Sequence, residues 1–254
     1  MRVMTLNLNG LRSAASKGLF EWLPSQDCDV LLFQETRTQA AQRADHQFQL
    51  PGYQRWFSDA GAKGYSGVAI YARIQPDEVS TGIVWPEFDD EGRWIEARFG
   101  DLHVVSLYLP SGSSSDVRQG FKFVALERLR KHFDSLRKDR HFIIGGDWNI
   151  AHRPLDLKNW RGNQKNSGFL PEERAWMDEL LGPCGWVDSF RVLHPEAPTY
   201  TWWSNRGQAY AKDVGWRIDY QIISPGLKDK VRSALVHRTP RFSDHAPYVV
   251  DYAL

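Results

Sequence analysis

The chain contains 254 residues, of which 42% are hydrophobic and 25% are charged, and its formal net charge at pH 7 is +1. This length allows one large α/β domain or two small domains with a sizeable core. The near-neutral charge excludes a polybasic protein, so any contact with nucleic acid must come from a local patch. Cys28 and Cys184 are the only cysteines and form neither a zinc motif nor a disulfide framework, which favours a reducing, cytoplasmic setting.

The sequence gives no sign of a membrane segment or of a second domain. The polar Asn7 interrupts the N-terminal stretch before a signal-peptide core can form, and no apolar run approaches the length of a membrane span. Neither a tandem repeat nor a Pro/Gly/Ser linker divides the chain. We therefore expect a single domain over residues 1–254 that does not associate with membranes.

Apolar runs alternate with polar turns in the first half of the chain. Residues 3–6 predict a strand, the helical spacing of apolar residues predicts a helix over 11–23, and 30–33 predict a buried strand. Another strand is predicted over 65–72. Two alternating segments, 94–99 and 103–109, flank a Gly-Asp turn signal and predict a hairpin.

The second half begins with an amphipathic helix, which we predict over 117–138. The apolar run 142–144 predicts a buried strand that stops in a tight turn at Gly145 and Gly146. Pro171, followed by two glutamates, predicts the start of a helix that continues to Leu181. The last predicted strands are 217–224, 231–236 and 247–252. Strands interspersed with few helices, including a hairpin, indicate mixed sheets with outer helices.

Polar side chains stand at or near the ends of several predicted strands. They are Asn7, Glu35, Tyr108, Asp147 and Asn149, with Asp219 inside the predicted strand 217–224 and the pair Asp244-His245 just before the last strand. Carboxylate and amide oxygens without cysteine suit a hard cation such as Mg²⁺ or Mn²⁺. A histidine beside an aspartate suits phosphate chemistry.

Each of these residues also has an ordinary structural explanation. Asn7 is a typical turn residue, Glu35 is equally consistent with a solvent-facing strand end, and Tyr108 with a half-buried aromatic. Asp219 lies between two apolar side chains, so burial of its charge predicts a partner such as a His or an Arg. The pair Asp244-His245 is consistent with a turn into a strand. The joint spacing of the residues, not any one of them, favours a site.

In order along the chain, these motifs resemble those of the exodeoxyribonuclease III family of apurinic/apyrimidinic (AP) endonucleases. The matching segments are Asn7, Gln34-Glu35, Tyr108, 146–152, 215–220 and 243–247. The wider endonuclease/exonuclease/phosphatase superfamily shares several of these elements, which alone imply only metal-dependent phosphoester cleavage. The segment 156–169 is more specific, because it resembles the DNA-contacting loop of the AP endonucleases.

The resemblance implies a four-layer α/β (α+β) fold, in which two stacked mixed β-sheets are flanked by helices. It implies Mg²⁺, with Mn²⁺ as an alternative, bound among Asn7, Glu35, Asp147, Asn149, Asp244 and His245. The catalytic residues that it implies are Tyr108, Asp147, Asn149, Asp219 and His245. The DNA-binding residues that it implies are Asn9, Arg161, Asn163, Lys165, Asn166, Trp202, Trp216 and Ile218. The last three resemble an apolar pocket for an extrahelical base-free sugar, whereas the neighbouring Trp203 is expected in the core.

The implied activity is hydrolysis of the phosphodiester on the 5′ side of an abasic site. A 3′→5′ exonuclease or 3′-phosphodiesterase activity accompanies it in this prediction, with a strength that the sequence leaves open. The expected partner is double-stranded DNA that contains abasic sites or blocked 3′ ends. We expect a cytoplasmic monomer that associates with the nucleoid through its DNA substrate.

Two other functions remain open from the sequence alone. The family includes a catabolite-repression regulator that binds RNA and lacks catalytic residues, and segments 169–176 and 240–243 resemble it. Here Glu35, Asp147, Asn149, Asp219 and Asp244 are all in place, which favours an enzyme. A phosphomonoester or lipid-phosphate hydrolase would share the metal site, but the segment 156–169 argues against it.

Overall fold

The apolar runs of the sequence form two β-sheets that lie face to face. The structure, a computed structural model, describes residues 1–44, 46–136 and 140–254. Its strands are β1 Arg2–Asn7, β2 Val30–Gln34, β3 Gln54–Ser58, β4 Val68–Ala72, β5 Glu78–Thr81, β6 Trp94–Phe99, β7 Leu102–Tyr108, β8 His141–Asp147, β9 Val187–Asp188, β10 Trp202–Trp203, β11 Gly215–Trp216, β12 Asp219–Ile223, β13 Val231–Val236 and β14 Tyr248–Tyr252. Its α-helices are α1 Leu11–Ala15, α2 Leu19–Trp22, α3 Pro86–Asp89, α4 Asp116–Leu136, α5 Trp160–Asn163, α6 Pro171–Leu181 and α7 Ser189–Leu193.

Both large sheets are mixed. Within the described residues, the first has the order β13-β14-β1-β2-β4-β3 and the second the order β5-β6-β7-β8-β12-β9, while β10 and β11 form a separate ladder. Only the pairs β1·β2 and β7·β8 are parallel among those of the two large sheets that the structure describes. The predicted combination of stacked mixed sheets and outer helices is confirmed.

Three apolar clusters hold the four layers together. Side chains such as Val30 and Ile143 fill the space between the sheets. On the outer face of the second sheet, α4 and α6 bury residues such as Leu129. On the outer face of the first sheet, α1 and α2 contribute Leu11 and Leu19. Because both faces of each sheet are covered, the central strands are apolar on both sides.

Alternate residues of β1 make polar contacts within this apolar interface. The Gln221 amide of the second sheet donates to the Val3 carbonyl at 3.0 Å. Thr5 donates to Gln34 at 3.2 Å, and Gln34 donates across the interface to Ser106 at 2.8 Å. Residues two apart in a strand face the same side, so Asn7 also faces the second sheet.

Strand directions bring the predicted site residues to one edge. The parallel pair β1 and β2 ends at Asn7 and Gln34, and the parallel pair β7 and β8 ends at Tyr108 and Asp147. Strands β12 and β14 run antiparallel to β8 and β1, so each begins where its neighbour ends. The segments that precede β12 and β14 therefore reach the same edge of the stacked sheets.

The glycines of the predicted turn at 145–146 instead lie inside β8, which continues to Asp147. A Cβ atom on Gly146 would lie 1.8 Å from the Leu107 carbonyl oxygen of the neighbouring strand, and one on Gly145 would lie 2.5 Å from Leu32 of the facing sheet. The prediction of a turn here was wrong. Because glycine has no Cβ atom, these two positions allow β7 and the facing sheet to approach β8 closely.

Other boundaries also differ from the prediction. The predicted helix over 11–23 is divided into α1 and α2, because Gly18 has a left-handed backbone with φ of 83° before α2 begins. The strand predicted over 65–72 is confined to β4, and β3 and β5 were missed. Strand β12 begins two residues later than predicted, since the Arg217 amide bonds to the Asp156 carbonyl instead.

The remaining helix and strand predictions are close to the structure. The hairpin of β6 and β7, helix α6 and strand β13 are confirmed, and β14 differs from the prediction by one residue. Helix α4 is confirmed over its described length, and the last two residues of the prediction, 137–138, lie outside the described residues. None of the helices in the described ranges combines the length and the apolarity that a bilayer crossing requires.

A buried network of charges supports the segment between β8 and β11. Asp156 is fully buried and accepts a hydrogen bond from Arg217 Nε at 2.7 Å and another from Arg191. Arg217 also donates to Asp188 at 2.7 Å. Burial opposes ionisation of Asp156, but the charges and hydrogen bonds of Arg217 and Arg191 prevail and lower its pKa to about 2.

We expect Asp156→Asn to lower the free energy of unfolding by about 3 kcal/mol, because it removes a buried partner of two arginines. Urea denaturation at pH 7 measures this change. The matched control Asp134→Asn, on the exposed face of α4, should change stability by less than about 0.5 kcal/mol. Equal effects of the two substitutions would contradict a stabilising role for the network.

The same carboxylate should make stability depend on pH at the acid end. Its pKa is about 2 in the folded chain against an ordinary value of 3.8, so its contribution is complete above about pH 4 and is lost as the pH falls toward 2. This loss amounts to about 2 kcal/mol for the wild-type protein. The comparison is a pair of urea titrations at several pH values, in which the Asp156→Asn variant should lack this part of the acid dependence.

Candidate active site

A cleft of about 1000 Å³ opens at the edge where the strand ends meet. Of the residues predicted from the sequence, those that line it are Asn9, Glu35, Tyr108, Asp147, Asn149, Lys165, Asn166, Trp202, Trp216, Ile218, Asp244 and His245. Asn7 and Asp219 lie buried directly behind this lining. The structure thus brings together most of the residues that the sequence singled out.

Asn7 links the two sheets beneath the cleft. Its Nδ2 donates to Glu35 Oε1 at 2.8 Å and to Asp147 Oδ2 at 2.8 Å. Its Oδ1 accepts the backbone N–H of Asn9 at 2.9 Å, and a second lone pair remains on that oxygen. One buried amide therefore fixes the spacing of two carboxylates that come from different sheets.

Asp147 and Asn149 form a tight turn at the end of β8. The Asn149 backbone N–H donates to Asp147 Oδ1 at 2.9 Å, and its side-chain Nδ2 donates to the Leu109 carbonyl at 2.9 Å. Asn149 has a positive φ of 50°, a conformation that asparagine tolerates better than most residues. The turn holds the Asp147 carboxylate at the floor of the cleft.

His245 lies between two aspartates. Its Nδ1 is 2.9 Å from Asp219 Oδ2, which confirms the partner predicted for Asp219, and its Nε2 is 3.9 Å from Asp147 Oδ2. Burial disfavours the imidazolium, but the charge and hydrogen bond of Asp219 outweigh it and raise the pKa of His245 to about 10. Burial also raises the pKa of Asp147 to about 7, against the opposing charge of His245. The site therefore holds a positively charged His245 beside the Asp147 carboxylate, whose pKa lies near neutral pH.

Asp244 joins the polar and apolar sides of the cleft. Its Oδ1 accepts a hydrogen bond from Asn9 Nδ2 at 2.9 Å, and its Oδ2 accepts one from Trp202 Nε1 at 3.0 Å. Burial opposes ionisation, yet the charge of His245 and these two hydrogen bonds lower the pKa of Asp244. Both of its oxygens thus have partners from this chain.

Trp202, Trp216 and Ile218 form an apolar wall in the cleft. The two indole rings meet edge to face with their centroids 6.3 Å apart, and all three side chains belong to one apolar cluster. Trp203 points the other way, is 1% exposed and donates to Asp213. The expectation that Trp203 is a core residue is confirmed.

Glu35 and Tyr108 line the same cleft as the apolar wall. Glu35 has a positive φ of 49°, and its Oε2 accepts a hydrogen bond from Arg37 Nε at 2.9 Å. Burial, reinforced by the negative charge of Glu35, raises the pKa of Tyr108, so its phenol stays protonated. Arg37 was not predicted, although its position two residues after Glu35 was the available signal.

The donor set of the cleft fits a hard divalent cation. Glu35 and Asp147 each place a carboxylate oxygen 2.8 Å from the amide nitrogen of Asn7, the Asn7 amide oxygen keeps one free lone pair, and none of these residues offers sulfur. Among the described residues, Asp147, Asp219 and His245 also offer ligand atoms within 4.8 Å of one another. In that trio, His245 Nδ1 already bonds to Asp219, so the oxygen-only group around Glu35 suits a hard cation better.

The predicted DNA-contacting segment 156–169 folds partly into helix α5. Lys165 and Asn166 line the cleft, but Arg161 and Asn163 do not. The Arg161 guanidinium lies 4.7 Å from the ring centre of Trp160, and Asn163 bonds to the Asn159 carbonyl and to Asn166. Other lining residues that we did not predict are those of the loop 111–115 with Asp116, Gln119, Ser167, Gly168, Leu170 and Arg206.

Comparisons with known proteins find a matching family and similar nucleases. The Endonuclease/Exonuclease/phosphatase family matches residues 4–245. An exodeoxyribonuclease of Bacillus subtilis (strain 168) is 35% identical over 249 residues, which are 97% of each chain. The DNA repair nuclease APEX1 of Danio rerio is 35% identical over 257 residues, which are 100% of this chain and 83% of the relative. The structure of an AP endonuclease from Archaeoglobus fulgidus has a TM-score of 0.91 and 29% sequence identity, with both chains fully covered.

These relatives are nucleases, and the carboxylates that a silent RNA regulator would lack are assembled here in one cleft. The regulator alternative is therefore not supported. By sequence, fold and site, the chain belongs to the endonuclease/exonuclease/phosphatase family and is a hydrolase of its exodeoxyribonuclease III and AP endonuclease branch.

Proposed function

We propose that the protein is a Mg²⁺-dependent repair nuclease that hydrolyses the phosphodiester on the 5′ side of abasic sites in double-stranded DNA. The observation that carries this proposal is the placement of Asp147. It is held by Asn7 and Asn149, lies beside the Asp219–His245 pair, and shares its cleft with the apolar wall of Trp202 and Trp216. A hydrolytic centre next to an apolar recess suits a sugar that has lost its base.

Asp147 is our proposed general base. A base works best when its pKa lies near the operating pH, and burial raises the pKa of Asp147 to about 7. Its carboxylate would accept a proton from the attacking water, while the hydrogen bonds from Asn7 and Asn149 keep it directed into the cleft. Asn149 would also contact that water or a non-bridging phosphate oxygen.

His245 and Tyr108 are proposed to contact the phosphate. The His245 imidazolium, oriented by Asp219, places a positive charge in a buried site, where it stabilises charge that develops on phosphate oxygens. The phenol of Tyr108 stays protonated and is suited to donate a hydrogen bond to the phosphate or the leaving oxygen. Both groups would act in fixed positions because they are buried.

Glu35, with the amide oxygen of Asn7, is proposed to hold Mg²⁺, with Mn²⁺ as a substitute. When bound there, the cation supplies charge neutralisation at the scissile phosphate. Asp147, Asn149, Asp244 and His245 were also predicted as ligands. Because Asp244 already accepts hydrogen bonds at both oxygens, we assign it chiefly to orienting Asn9 and Trp202.

DNA would lie across the cleft with its backbone near Lys165, Asn166 and Arg206. Such cationic and amide groups suit phosphate contacts, which position a duplex without reading its sequence. The base-free sugar would turn out of the helix against Trp202, Trp216 and Ile218, at a reduced unstacking cost because its base is missing. Excision of nucleotides or blocking groups from 3′ ends would use the same phosphate site.

The main test uses an end-labelled duplex with one abasic analogue and an intact duplex, each incubated with Mg²⁺ or with EDTA. We expect a single Mg²⁺-dependent cut immediately 5′ to the lesion, with no cut in EDTA. Asp147→Asn should slow cleavage about 10³-fold, because the general base is lost, and should leave DNA binding intact.

Asp134→Asn, the same chemical change at an exposed position of α4, is the matched control and should cut like the wild type. Loss of DNA binding by the Asp147→Asn variant would contradict the proposed role of Asp147 as the general base. Laddering of the intact duplex would show that exonuclease activity dominates, and intact duplexes in every lane would overturn the proposal.

The apolar wall should set the preference for abasic sites. Trp202→Ala enlarges the recess and removes the hydrogen bond to Asp244, so a normal nucleotide is excluded less well. We expect the ratio of 3′-nucleotide excision to abasic-site cleavage to rise about tenfold. Phe123→Ala, an exposed aromatic of α4 that does not line the cleft, is the control. An unchanged ratio for Trp202→Ala would show that the wall does not select the substrate.

A further inference from the structure

A fully buried ion pair lies behind the cleft, between α4 and α6. Lys122 Nζ lies 2.5 Å from Glu173 Oε1, and neither side chain has exposed surface. Lys122 also donates to the Asn149 carbonyl at 2.8 Å. The second oxygen of Glu173 accepts the backbone N–H groups of Gly168 at 2.6 Å and Leu170 at 3.0 Å.

Stability alone gives a weak reason for this pair. Removing two charges from water costs several kcal/mol per ion, and well-packed apolar residues of similar volume often make a fold as stable or more stable. The cost is visible at Lys122, because burial lowers its pKa even though Glu173 opposes the change. The contacts of the pair, rather than its energy, therefore indicate its purpose.

Those contacts connect the turn of Asp147 and Asn149, which we call the catalytic turn, to the end of the DNA-contacting segment. The Gly168 carbonyl accepts the Ala151 N–H at 2.8 Å. A Cβ atom on Gly168 would lie 3.1 Å from the Asn149 carbonyl oxygen and 3.2 Å from the Trp216 ring, and Gly168 has a φ of 90°. The backbone at 168 is thus packed against both the catalytic turn and the apolar wall.

We propose that Lys122 and Glu173 are positioning residues that couple the two halves of the active site. Lys122 fixes the turn that carries Asn149, and Glu173 fixes the backbone at Gly168, in the DNA-contacting segment 156–169, and at Leu170, which directly follows it. This inference rests on the proposed function, because it assigns Asn149 to the chemistry and the segment to DNA. Loss of the Lys122 contact should therefore lower kcat, and loss of the Glu173 contacts should raise KM.

The test compares two double variants that leave no buried charge without its partner. Lys122→Met/Glu173→Gln keeps a side-chain oxygen for the N–H groups of Gly168 and Leu170. Lys122→Met/Glu173→Met removes that acceptor as well. On the abasic duplex, both variants should lower kcat about tenfold, and only the second should also raise KM for DNA about tenfold.

A second measurement follows the amides directly. Hydrogen exchange at Gly168 and Leu170 should accelerate in the Glu173→Met combination and stay close to the wild-type rate in the Glu173→Gln combination. Should these variants not fold, Lys122→Leu/Glu173→Gln, which also lacks a donor for the Asn149 carbonyl, tests the same fall in kcat. Circular dichroism and thermal unfolding verify the fold of each variant.

The outcomes separate the two proposals. A wild-type protein that leaves the abasic duplex intact overturns the proposed function and this inference with it. A wild-type protein that cuts, with folded double variants that keep its kcat and KM and lose only thermal stability, overturns the inference alone. A fall in kcat with the predicted difference in KM supports the positioning role.

Discussion

The structure depends on a line of polar contacts that β1 makes with the facing sheet. Alternate residues take part: the Val3 carbonyl binds Gln221, Thr5 reaches Ser106 through Gln34, and Asn7 binds Asp147. Apolar surfaces alone would tolerate a small slip of one sheet over the other. Each buried polar group left without a partner costs about 1–3 kcal/mol, however, so these contacts fix a single alignment. The last contact in the line is already part of the cleft.

Much of the site was predictable because it follows from strand ends. Asn7, Tyr108 and Asp147 close apolar runs that the sequence marks clearly, and strand direction alone brings them to one edge. The partner of Asp219 was predictable in kind, since a charge in an apolar stretch needs a counter-charge. The hairpin of β6 and β7 and the long helix α4 were recognisable from the local periodicity of apolar residues and from the residue types of the turn.

What could not be predicted depends on neighbours that are distant in sequence. Gly145 and Gly146 have the composition of a turn, and only the closeness of Leu32 and Leu107 makes them strand residues. Arg206 has no local feature that distinguishes it from any other exposed arginine. Arg161, which the family resemblance implied as a DNA-binding residue, lies over the ring of Trp160 and does not line the cleft. For both arginines, the direction of the side chain decides whether it reaches the cleft, and the spacing of residues in the sequence does not specify that direction.

The pairing of β8 with β12 places Asp147 directly opposite Asp219. Like charges opposite each other across a ladder are destabilising, and here the charge of His245 and the hydrogen bonds that Asn7 and Asn149 donate to Asp147 offset the repulsion. A neutral residue at position 147 would relieve this repulsion, whereas Asp219 is also the counter-charge of the buried His245. Folding therefore does not favour a carboxylate at position 147, whereas selection for the proposed cleavage would. In a duplicated copy released from that selection, Asp147 would be replaced more readily than Asp219. The sheets and the surface that they support would persist as a ready-made scaffold for binding without catalysis.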